Sequence, residues 1–435
     1  MSLPADDALA RDEPLVERLH AQGVRMLLLQ FTDLEGVAKG KLLPLAQLPA
    51  VLAEGAGFAG PSIVGTGLPR SGPRSEFHAR GDATTAQPLP WWPGVARLVG
   101  DGFVDGQPFE ACPRQVLRRQ LARLAARGWR LQTGLEPEFF LLHPAAHAPA
   151  DARDGLAKPS YDLQALPRQA PFLQDLHDAL QACGFTLLQI DHEDAHGQYE
   201  LNFLHDDALA TADRLMLFKL AAQALAERHG ARFSMMPKPF AGQPGSGLHV
   251  HASLWEGERP RDDLLGAFVA GVLAHAEGLT ALAAPTVNSY RRLGAVDSIT
   301  GTTWAPAVVA HGPNNRTALV RTLPGRFEWR APDSSANPYL ISAALVAAGL
   351  DGIDRALPLP PAVEADLSET PPPAHARPLP RHLDAACDAL AADDVLTAAL
   401  GPVLTTQFLR LKRAEHAEAA AQVTPWEVAR YATRF

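Results

Sequence analysis

Three short segments each carry two polar, site-forming side chains at positions i and i+2. They are Glu136-Pro137-Glu138, His249-Val250-His251 and Glu328-Trp329-Arg330. In a strand, alternate side chains point to the same face, so each pair should face one space. A solvated strand face is the simple alternative, but the apolar run 139–142 carries the first segment into a core. Two carboxylates entering such a core repel each other unless cations bind, which favours a metal site.

A fourth segment adds two further carboxylates to this set. Glu193 and Glu200 flank a turn that contains Gly197, so a hairpin would bring them together. The set then holds five carboxylates and one imidazole: Glu136, Glu138, Glu193, Glu200, Glu328 and His249. Oxygen ligands with at most one nitrogen are typical of Mg²⁺ or Mn²⁺ sites, whereas zinc sites in proteins are rich in Cys and His.

A glycine-rich loop and a group of arginines indicate anion binding near the same region. The loop 242–247 reads Gly-Gln-Pro-Gly-Ser-Gly, which is a weak signal, because a plain turn has the same composition and no P-loop Gly-Lys-Ser/Thr follows. The arginines are Arg292, Arg316, Arg321, Arg326 and Arg330. Guanidinium groups bind carboxylate and phosphate with two hydrogen bonds. Several divalent ions beside an arginine cluster are the elements of phosphoryl transfer.

The elements that must position these residues mix helices and strands without a βαβ rhythm. We predict helices over 113–127, 172–183, 209–229, 337–350, 382–392 and 400–423, and strands over 24–31, 130–142 and 185–190. The Gly-, Pro- and Ser-rich stretch 55–81 is interpreted as loops, and the proline-rich tract 357–380 as an irregular surface excursion. This order favours an α+β fold.

The amino-acid composition excludes several classes of protein. The chain has 435 residues, enough for two domains, and a formal net charge of -9, so it has no electrostatic attraction to nucleic acid or an anionic membrane. Its three cysteines are Cys112, Cys183 and Cys387, too few and too far apart for a disulfide framework. The acidic N-terminus lacks a signal-peptide core and no apolar run is long enough to span a bilayer, so we expect a cytoplasmic protein.

Several of these segments, taken together and in order, resemble the glutamine synthetase family. The matching segments are Gly134–Leu141, the His-Glu and Gly-Gln-Tyr-Glu hairpin, Gly245–Leu254, Asn288–Leu293, Asn315–Thr317 and Glu328–Leu340. The subgroup that they resemble includes the γ-glutamylmethylamide synthetases. The resemblance implies a small N-terminal β-grasp domain, residues 1–107, and a catalytic α+β domain with a curved antiparallel sheet, residues 108–435. It also implies a homo-oligomer, a dodecamer of two hexameric rings with active sites between subunits.

The resemblance also implies roles for single residues. Glu138, Glu193 and Glu200 match ligands of one metal ion, and Glu136, His249 and Glu328 match ligands of a second. Gly245, Arg292, Arg316 and Arg330 match the glutamate-binding set. His251, Ser253, Arg321 and Arg326 match contacts to the ATP. Asp33 matches an acidic residue that a neighbouring subunit lends to the amine site. Asp33, Arg292, Arg316 and Glu328 are therefore the candidate catalytic residues.

The implied reaction forms γ-glutamyl phosphate from ATP and glutamate, after which an amine displaces phosphate, with two or three Mg²⁺ or Mn²⁺ ions per site. One departure concerns the amine. The family places a glutamate a few residues after the arginine matched by Arg292, but the segment 293–304 contains none. Ser298 is the direct match, and Asp297 could replace the glutamate after a shift of one residue. We therefore expect methylamine or a similar alkylamine, with ammonia as the close alternative, a polyamine or ethanolamine as a third, and a non-catalytic structural relative as an alternative of another class.

Overall fold

The computed structural model describes residues 6–293, 298–301 and 303–435. The helices are α1 Asp6–Ala21, α2 Leu48–Ala53, α3 Pro113–Ala125, α4 Ala165–Arg168, α5 Ala170–Ala182, α6 Ala208–Arg228, α7 Asp262–Ala274, α8 Ala276–Ala283, α9 Ser289–Leu293, α10 Pro338–Asp354, α11 Leu383–Ala391, α12 Asp394–Leu400, α13 Pro402–Ala420 and α14 Pro425–Tyr431. The strands are β1 Met26–Thr32, β2 Ala38–Pro44, β3 Ala56–Ala59, β4 Glu76–Pro88, β5 Val95–Val104, β6 Gln107–Pro108, β7 Trp129–Leu142, β8 Leu187–His192, β9 Gln198–Phe203, β10 Asp206–Asp207, β11 Arg232–Ser234, β12 Leu248–Glu256, β13 Arg259–Pro260, β14 Val308–Val309, β15 His311–Pro313, β16 Val320–Leu323, β17 Arg326–Trp329 and β18 Arg377–Pro378.

The N-terminal strands form a mixed sheet in the order β2-β1-β5-β4-β3, in which β1 and β5 run parallel. The loop prediction for 55–81 is wrong at both ends, because β3 and the start of β4 lie there. Phe58 on β3 and Phe77 on β4 contact the buried Phe31 of β1, with ring centroids 4.9 and 4.8 Å away. The packing of these aromatic rings outweighs the turn-forming composition of the segment.

The second sheet, in the order β15-β16-β17-β12-β7-β9-β8, carries the candidate site residues. The 14-residue strand β7 changes partner along its length. Its first part pairs with β12, and residues 138–140 pair with β9. Both pairings are antiparallel. The predicted α+β class with a curved antiparallel sheet is confirmed, and the boundary at residues 107 and 108 stays a prediction.

Helices cover the sheet and form the core beside it. Every residue of α10 from Pro338 to Leu350 is buried, and the Asn337 side chain caps this helix by accepting a hydrogen bond from the backbone N–H of Tyr339 at 3.1 Å. Gly271 on α7 and Gly352 on α10 lie so close together that a Cβ at either would contact the backbone of the other helix. The predicted helices at 113–127 and 209–229 are found within two residues of their expected ends.

A buried arginine links the first sheet to the helices of the second. Arg114 on α3 forms ion pairs with Asp82 on β4 at 2.9 Å, Asp101 on β5 at 2.8 Å and Asp213 on α6 at 2.8 Å. Its side chain is 3% exposed, so these carboxylates neutralise a charge that would otherwise be costly to bury. In the described part of the chain, no single helix is long and apolar enough to cross a membrane; α7 and α8 reach that length only as a pair bent by 77°.

Candidate active site

A cavity of about 460 Å³ lies above the face of the second sheet where β7 changes partner. Of the residues predicted from the sequence, those that line it are Glu136, Glu138, Glu193, Glu200, Gly245, His249, His251, Arg292, Arg316, Arg321, Arg326 and Arg330. Residues separated by up to 194 positions in sequence therefore meet in one space. The Glu328 carboxylate borders the same group through His249, whose Nδ1 lies 3.3 Å from its Oε1.

Strand register places two of the acidic residues opposite histidines. Glu136 on β7 is the pairing partner of His249 on β12, and His251 is the partner of Glu328 on β17. Glu136, His249 and Glu328 each offer one atom to a group whose atoms all lie within 4.8 Å of one another. This group agrees with the set that the family resemblance implies for one metal ion.

A second group overlaps the first through His249. Glu138 on β7 pairs with Glu200 on β9, and one atom from each of Glu138, Glu200 and His249 fits within the same 4.8 Å limit. Glu193, the third residue predicted here, lines the cavity but falls outside this group. Its Oε2 accepts a hydrogen bond from the backbone N–H of Asp194 at 3.1 Å, which turns it toward its own loop.

The acidic residues differ in the direction in which their surroundings shift their pKa. Burial, with the charge of Glu138, raises the pKa of Glu193 well above its ordinary value, and burial with the charge of Glu193 does the same for Glu200. Burial also opposes ionisation of Glu136, but hydrogen bonds with His249 and His251 hold its pKa below the usual range. Closely spaced buried carboxylates of this kind fit hard divalent cations, and the donor set of oxygens with one imidazole suits Mg²⁺ or Mn²⁺.

The arginines differ in their surroundings. Arg321 donates to Oε2 of Glu328 at 2.9 Å, and Arg330 donates to Oε1 of the same carboxylate. Burial lowers the pKa of Arg292, whose guanidinium donates to the carbonyl oxygens of Ala331 and Arg330 at 2.9 and 3.2 Å. Arg316 is exposed at the cavity. The cavity lining therefore combines carboxylates with both buried and exposed guanidinium groups.

The glycine-rich loop is packed against the acidic groups. Gly245 allows no side chain, because a Cβ there would contact the carbonyl oxygen of Pro237. At Gly247 a Cβ would lie 2.9 Å from both Oε1 of Glu138 and Nε2 of His249, and the Gly247 N–H donates to Oε2 of Glu138 at 2.8 Å. The loop thus orients a candidate metal ligand through its backbone.

Two predicted residues lie elsewhere. Ser253 lines a neighbouring cavity that shares Glu136, His251 and Arg326 with the first. Asp33 does not line the cavity in this single chain; its side chain is 1% exposed and accepts hydrogen bonds from the backbone N–H groups of Glu35 and Val37 at 3.1 and 3.0 Å. Asp297 lies outside the described residues.

Sequence reasoning missed several residues that support the site. Gln198 donates to Oε2 of Glu138 at 2.8 Å and to the carbonyl oxygen of Gly245 at 3.2 Å. It lies two positions before Glu200, so the same-face rule applied to the other segments would have found it. Ser334 donates to the carbonyl oxygens of Glu138 and Gly247 at 2.7 and 2.8 Å. No local pattern marks Ser334, because its partners are remote in sequence.

Comparisons with known proteins agree with this geometry. Residues 110–431 match the family model described as glutamine synthetase, catalytic domain. A glutamate–methylamine ligase of Methyloversatilis universalis is 42% identical over 426 residues, covering 94% of this chain and 96% of the relative. A glutamine synthetase of Rhizobium meliloti is 38% identical over 420 residues, covering 93% and 96%. A solved structure described as a GmaS complex with ADP superposes with a TM-score of 0.91 at 40% identity, covering 96% of this chain and 99% of that one.

Proposed function

This chain belongs to the glutamine synthetase family of ATP-dependent ligases that form C–N bonds, and we propose that it joins the γ-carboxylate of glutamate to methylamine or a similar small alkylamine. The observation that carries this choice is the cavity wall formed by Thr303 and Trp304. It lies in the segment where the family's glutamate is missing from the sequence. An indole at this wall gives the methyl group of an amine an apolar contact that ammonia cannot use.

In the first step an oxygen of the glutamate γ-carboxylate attacks the γ-phosphorus of ATP, and the bond between that phosphorus and ADP breaks. In this proposal glutamate binds to Arg292, Arg316, Arg330 and the backbone at Gly245. The nucleotide binds to His251, Ser253, Arg321 and Arg326. The groups Glu136–His249–Glu328 and Glu138–Glu200–His249 would hold divalent ions, and such ions would offset the charge repulsion between the γ-carboxylate and the phosphates. Guanidinium groups can hold both anions in line, which lowers the entropic cost of their meeting.

In the second step the nitrogen of a neutral amine attacks the carbonyl carbon of γ-glutamyl phosphate, and inorganic phosphate leaves. The attacking nitrogen loses a proton, which balances the charge of the departing phosphate when it leaves as hydrogen phosphate, and we propose Asp33 of a neighbouring subunit as the anionic partner for the amine. The Asp33 carboxylate is held in a fixed turn by two backbone N–H groups. The site must exclude water, because water would hydrolyse the acyl phosphate.

Sharing of a site between subunits requires a homo-oligomer, and we propose a dodecamer of two hexameric rings. The C-terminal segment supports association, since Trp426, Tyr431 and Phe435 are 60%, 43% and 99% exposed in the single chain. Exposed aromatic residues in a short segment are typical of interaction surfaces. Light scattering coupled to size-exclusion chromatography measures the mass, and a mass near 46.5 kDa, that of a single chain, would contradict this proposal.

The experiment that tests the function measures phosphate release from ATP with glutamate and Mg²⁺ or Mn²⁺ across ammonia, methylamine, ethylamine, ethanolamine and putrescine. We expect the highest kcat/KM with methylamine. The second candidate is an ammonia-using glutamine synthetase, which is favoured by the 38% identity to the Rhizobium meliloti enzyme across nearly the whole chain. A higher kcat/KM with ammonia than with every alkylamine selects that candidate.

A further inference from the structure

The loop of the β8–β9 hairpin carries a carboxylate to which the metal groups give no role. Asp194 is 8% exposed and accepts three side-chain hydrogen bonds. Its Oδ1 accepts from the Ser160 hydroxyl at 2.6 Å. Its Oδ2 accepts from the Thr300 hydroxyl at 2.8 Å and from the indole N–H of Trp304 at 3.1 Å. One buried side chain thus joins the segment at Ser160 to the segment at Thr300 and Trp304, which is remote from it in sequence.

The segment at Ser160 and the segment at Thr300 each place one large aromatic side chain in the cavity lining. These side chains are Tyr161 and Trp304. Both residues have a left-handed backbone, with φ of 63° and 52°, which is unfavourable for bulky side chains. Tyr161 follows Ser160 and its N–H donates to the carbonyl oxygen of His192 at 2.8 Å. Such a backbone persists only where surrounding contacts hold it, and here the contacts converge on residues 192–194.

We propose that Asp194 is a positioning residue that fixes the indole of Trp304 and the Ser160–Tyr161 segment as the aromatic wall of the amine site, and thereby sets selectivity for an alkylated amine over ammonia. This inference rests on the proposed function, which it deepens. A bound alkylammonium ion, before it is deprotonated to the neutral amine, gains dispersion and cation–π attraction from a fixed aromatic face. Ammonia has no methyl group to make the first of these contacts, so loosening the wall reduces turnover of methylamine more.

The carboxylate is the part of Asp194 that matters, because three donors converge on it. Asp194→Asn removes the negative charge and replaces one acceptor oxygen by an NH₂ group, so either the indole N–H of Trp304 loses its acceptor or the Ser160 hydroxyl has to accept instead of donate. Trp304→Phe keeps an aromatic ring but removes the indole N–H. If both changes act through one hydrogen bond, their effects overlap, and the double variant loses less than the product of the two single losses.

The test uses the full-length enzyme with Mg²⁺ and measures kcat and KM for methylamine, ammonia, glutamate and ATP. In Asp194→Asn, the ratio of kcat/KM for methylamine to that for ammonia should fall about tenfold, mainly through a higher methylamine KM, while the KM values of glutamate and ATP change less than about twofold. Asp178→Asn is the surface control, since Asp178 is 77% exposed on α5, and its ratio should equal that of the wild type.

Two results would overturn the inference and leave Asp194 with a structural role only. One is an equal loss of kcat/KM for both amines in Asp194→Asn. The other is additive effects in the Asp194→Asn/Trp304→Phe double variant. Thermal unfolding of each variant shows whether it folds; if Asp194→Asn does not, an unchanged ratio in Trp304→Phe overturns the inference instead. Failure of the proposed function is a separate outcome. A wild-type preference for ammonia contradicts the alkylamine assignment, whereas the Asp194 inference depends on whether the ratio changes between wild type and variant.

Discussion

Glu138 on β7 lies directly opposite Glu200 on β9 in an antiparallel ladder, so the sheet itself sets two carboxylates face to face. Like charges in directly opposed positions destabilise a sheet. Gln198 and Asn202, on either side of Glu200 along β9, donate hydrogen bonds to Glu138 and Glu200 at 2.8 and 2.9 Å, but neither neutralises the charge. A bound divalent cation would remove the repulsion between the two carboxylates.

Divalent ions should stabilise the folded protein. Mg²⁺ or Mn²⁺ should raise the Tm and a chelator should lower it, because ions that bind only the folded state shift the folding equilibrium toward it. Glu200→Gln removes one of the two opposed charges, so it should raise the Tm of the chelator-treated protein and reduce the gain from added ions. Thermal unfolding followed by fluorescence measures both effects, and identical Tm values with ions and with chelator would count against a metal site here.

Removing the carboxylate of Glu328 should abolish turnover. Glu328→Ala deletes a candidate ligand and leaves the guanidinium groups of Arg321 and Arg330 without their shared partner. We expect kcat to fall by at least about 100-fold in the phosphate-release assay. Glu256→Ala is the matched control, because Glu256 lies in the same sheet and pairs with Arg261 but is 49% exposed. Full activity in Glu328→Ala would show that the residue is misassigned.

Two of the three glycines in the loop 242–247, Gly242 and Gly247, should respond differently to an added methyl group. Gly247→Ala places a Cβ 2.9 Å from Glu138 and His249, so it should displace these ligands and weaken metal-dependent activity at least about tenfold. Gly242→Ala meets nothing within 4 Å and should leave activity unchanged. The measurement is the Mn²⁺ concentration for half-maximal activity in each variant. Equal values for Gly247→Ala and Gly242→Ala would mean that the loop does not position the ligands.

A histidine far from the site should make stability fall in alkaline solution. Nδ1 of His275 contacts Asp393 at 2.7 Å and Nε2 contacts Asp351 at 3.0 Å, so the imidazole bridges the α7–α8 junction, α10 and the start of α12. Burial lowers the pKa of His275, but its hydrogen bonds with Asp393 and Asp351 outweigh burial and raise it above 6.5. The stabilisation is fully present below the unfolded pKa of about 6.5 and is lost as pH rises through the folded pKa.

The check for this effect is the Tm of wild type and His275→Gln as a function of pH. The difference between the two should be largest in mildly acidic solution and should shrink as pH rises above about 6.5. His229→Gln is the control, since His229 contacts the single, 58% exposed carboxylate of Asp175. A Tm difference that stays constant with pH would mean that protonation of His275 does not stabilise the fold.

The sequence was most informative where local geometry decides which residues meet. Glu136 and Glu138 share a face because a strand repeats every two residues, and the turn between β8 and β9 brings Glu193 and Glu200 into the lining of one cavity. The fold class followed from the mixture of helical and strand patterns. The loop prediction for 55–81 failed because Gly and Ser composition is local, whereas the contact of Phe58 and Phe77 with Phe31 depends on tertiary structure.

Sequence patterns alone did not predict contacts between segments that are far apart in the sequence. Ser334 meets Glu138 across 196 positions, and Trp304 meets Asp194 across 110. Asp33 illustrates the opposite case. Its position matches a family role, but in the single chain its carboxylate is buried in its own turn. The role assigned to it depends on how subunits assemble, which one chain does not contain.

The most direct test of the central claim is a competition. The enzyme is given glutamate, ATP and Mg²⁺ with equal concentrations of methylamine and ammonia, and mass spectrometry measures the two amide products at low conversion, where their ratio equals the ratio of kcat/KM values. We expect γ-glutamylmethylamide to exceed glutamine. An excess of glutamine would contradict the alkylamine assignment and identify the protein as an ammonia-using glutamine synthetase.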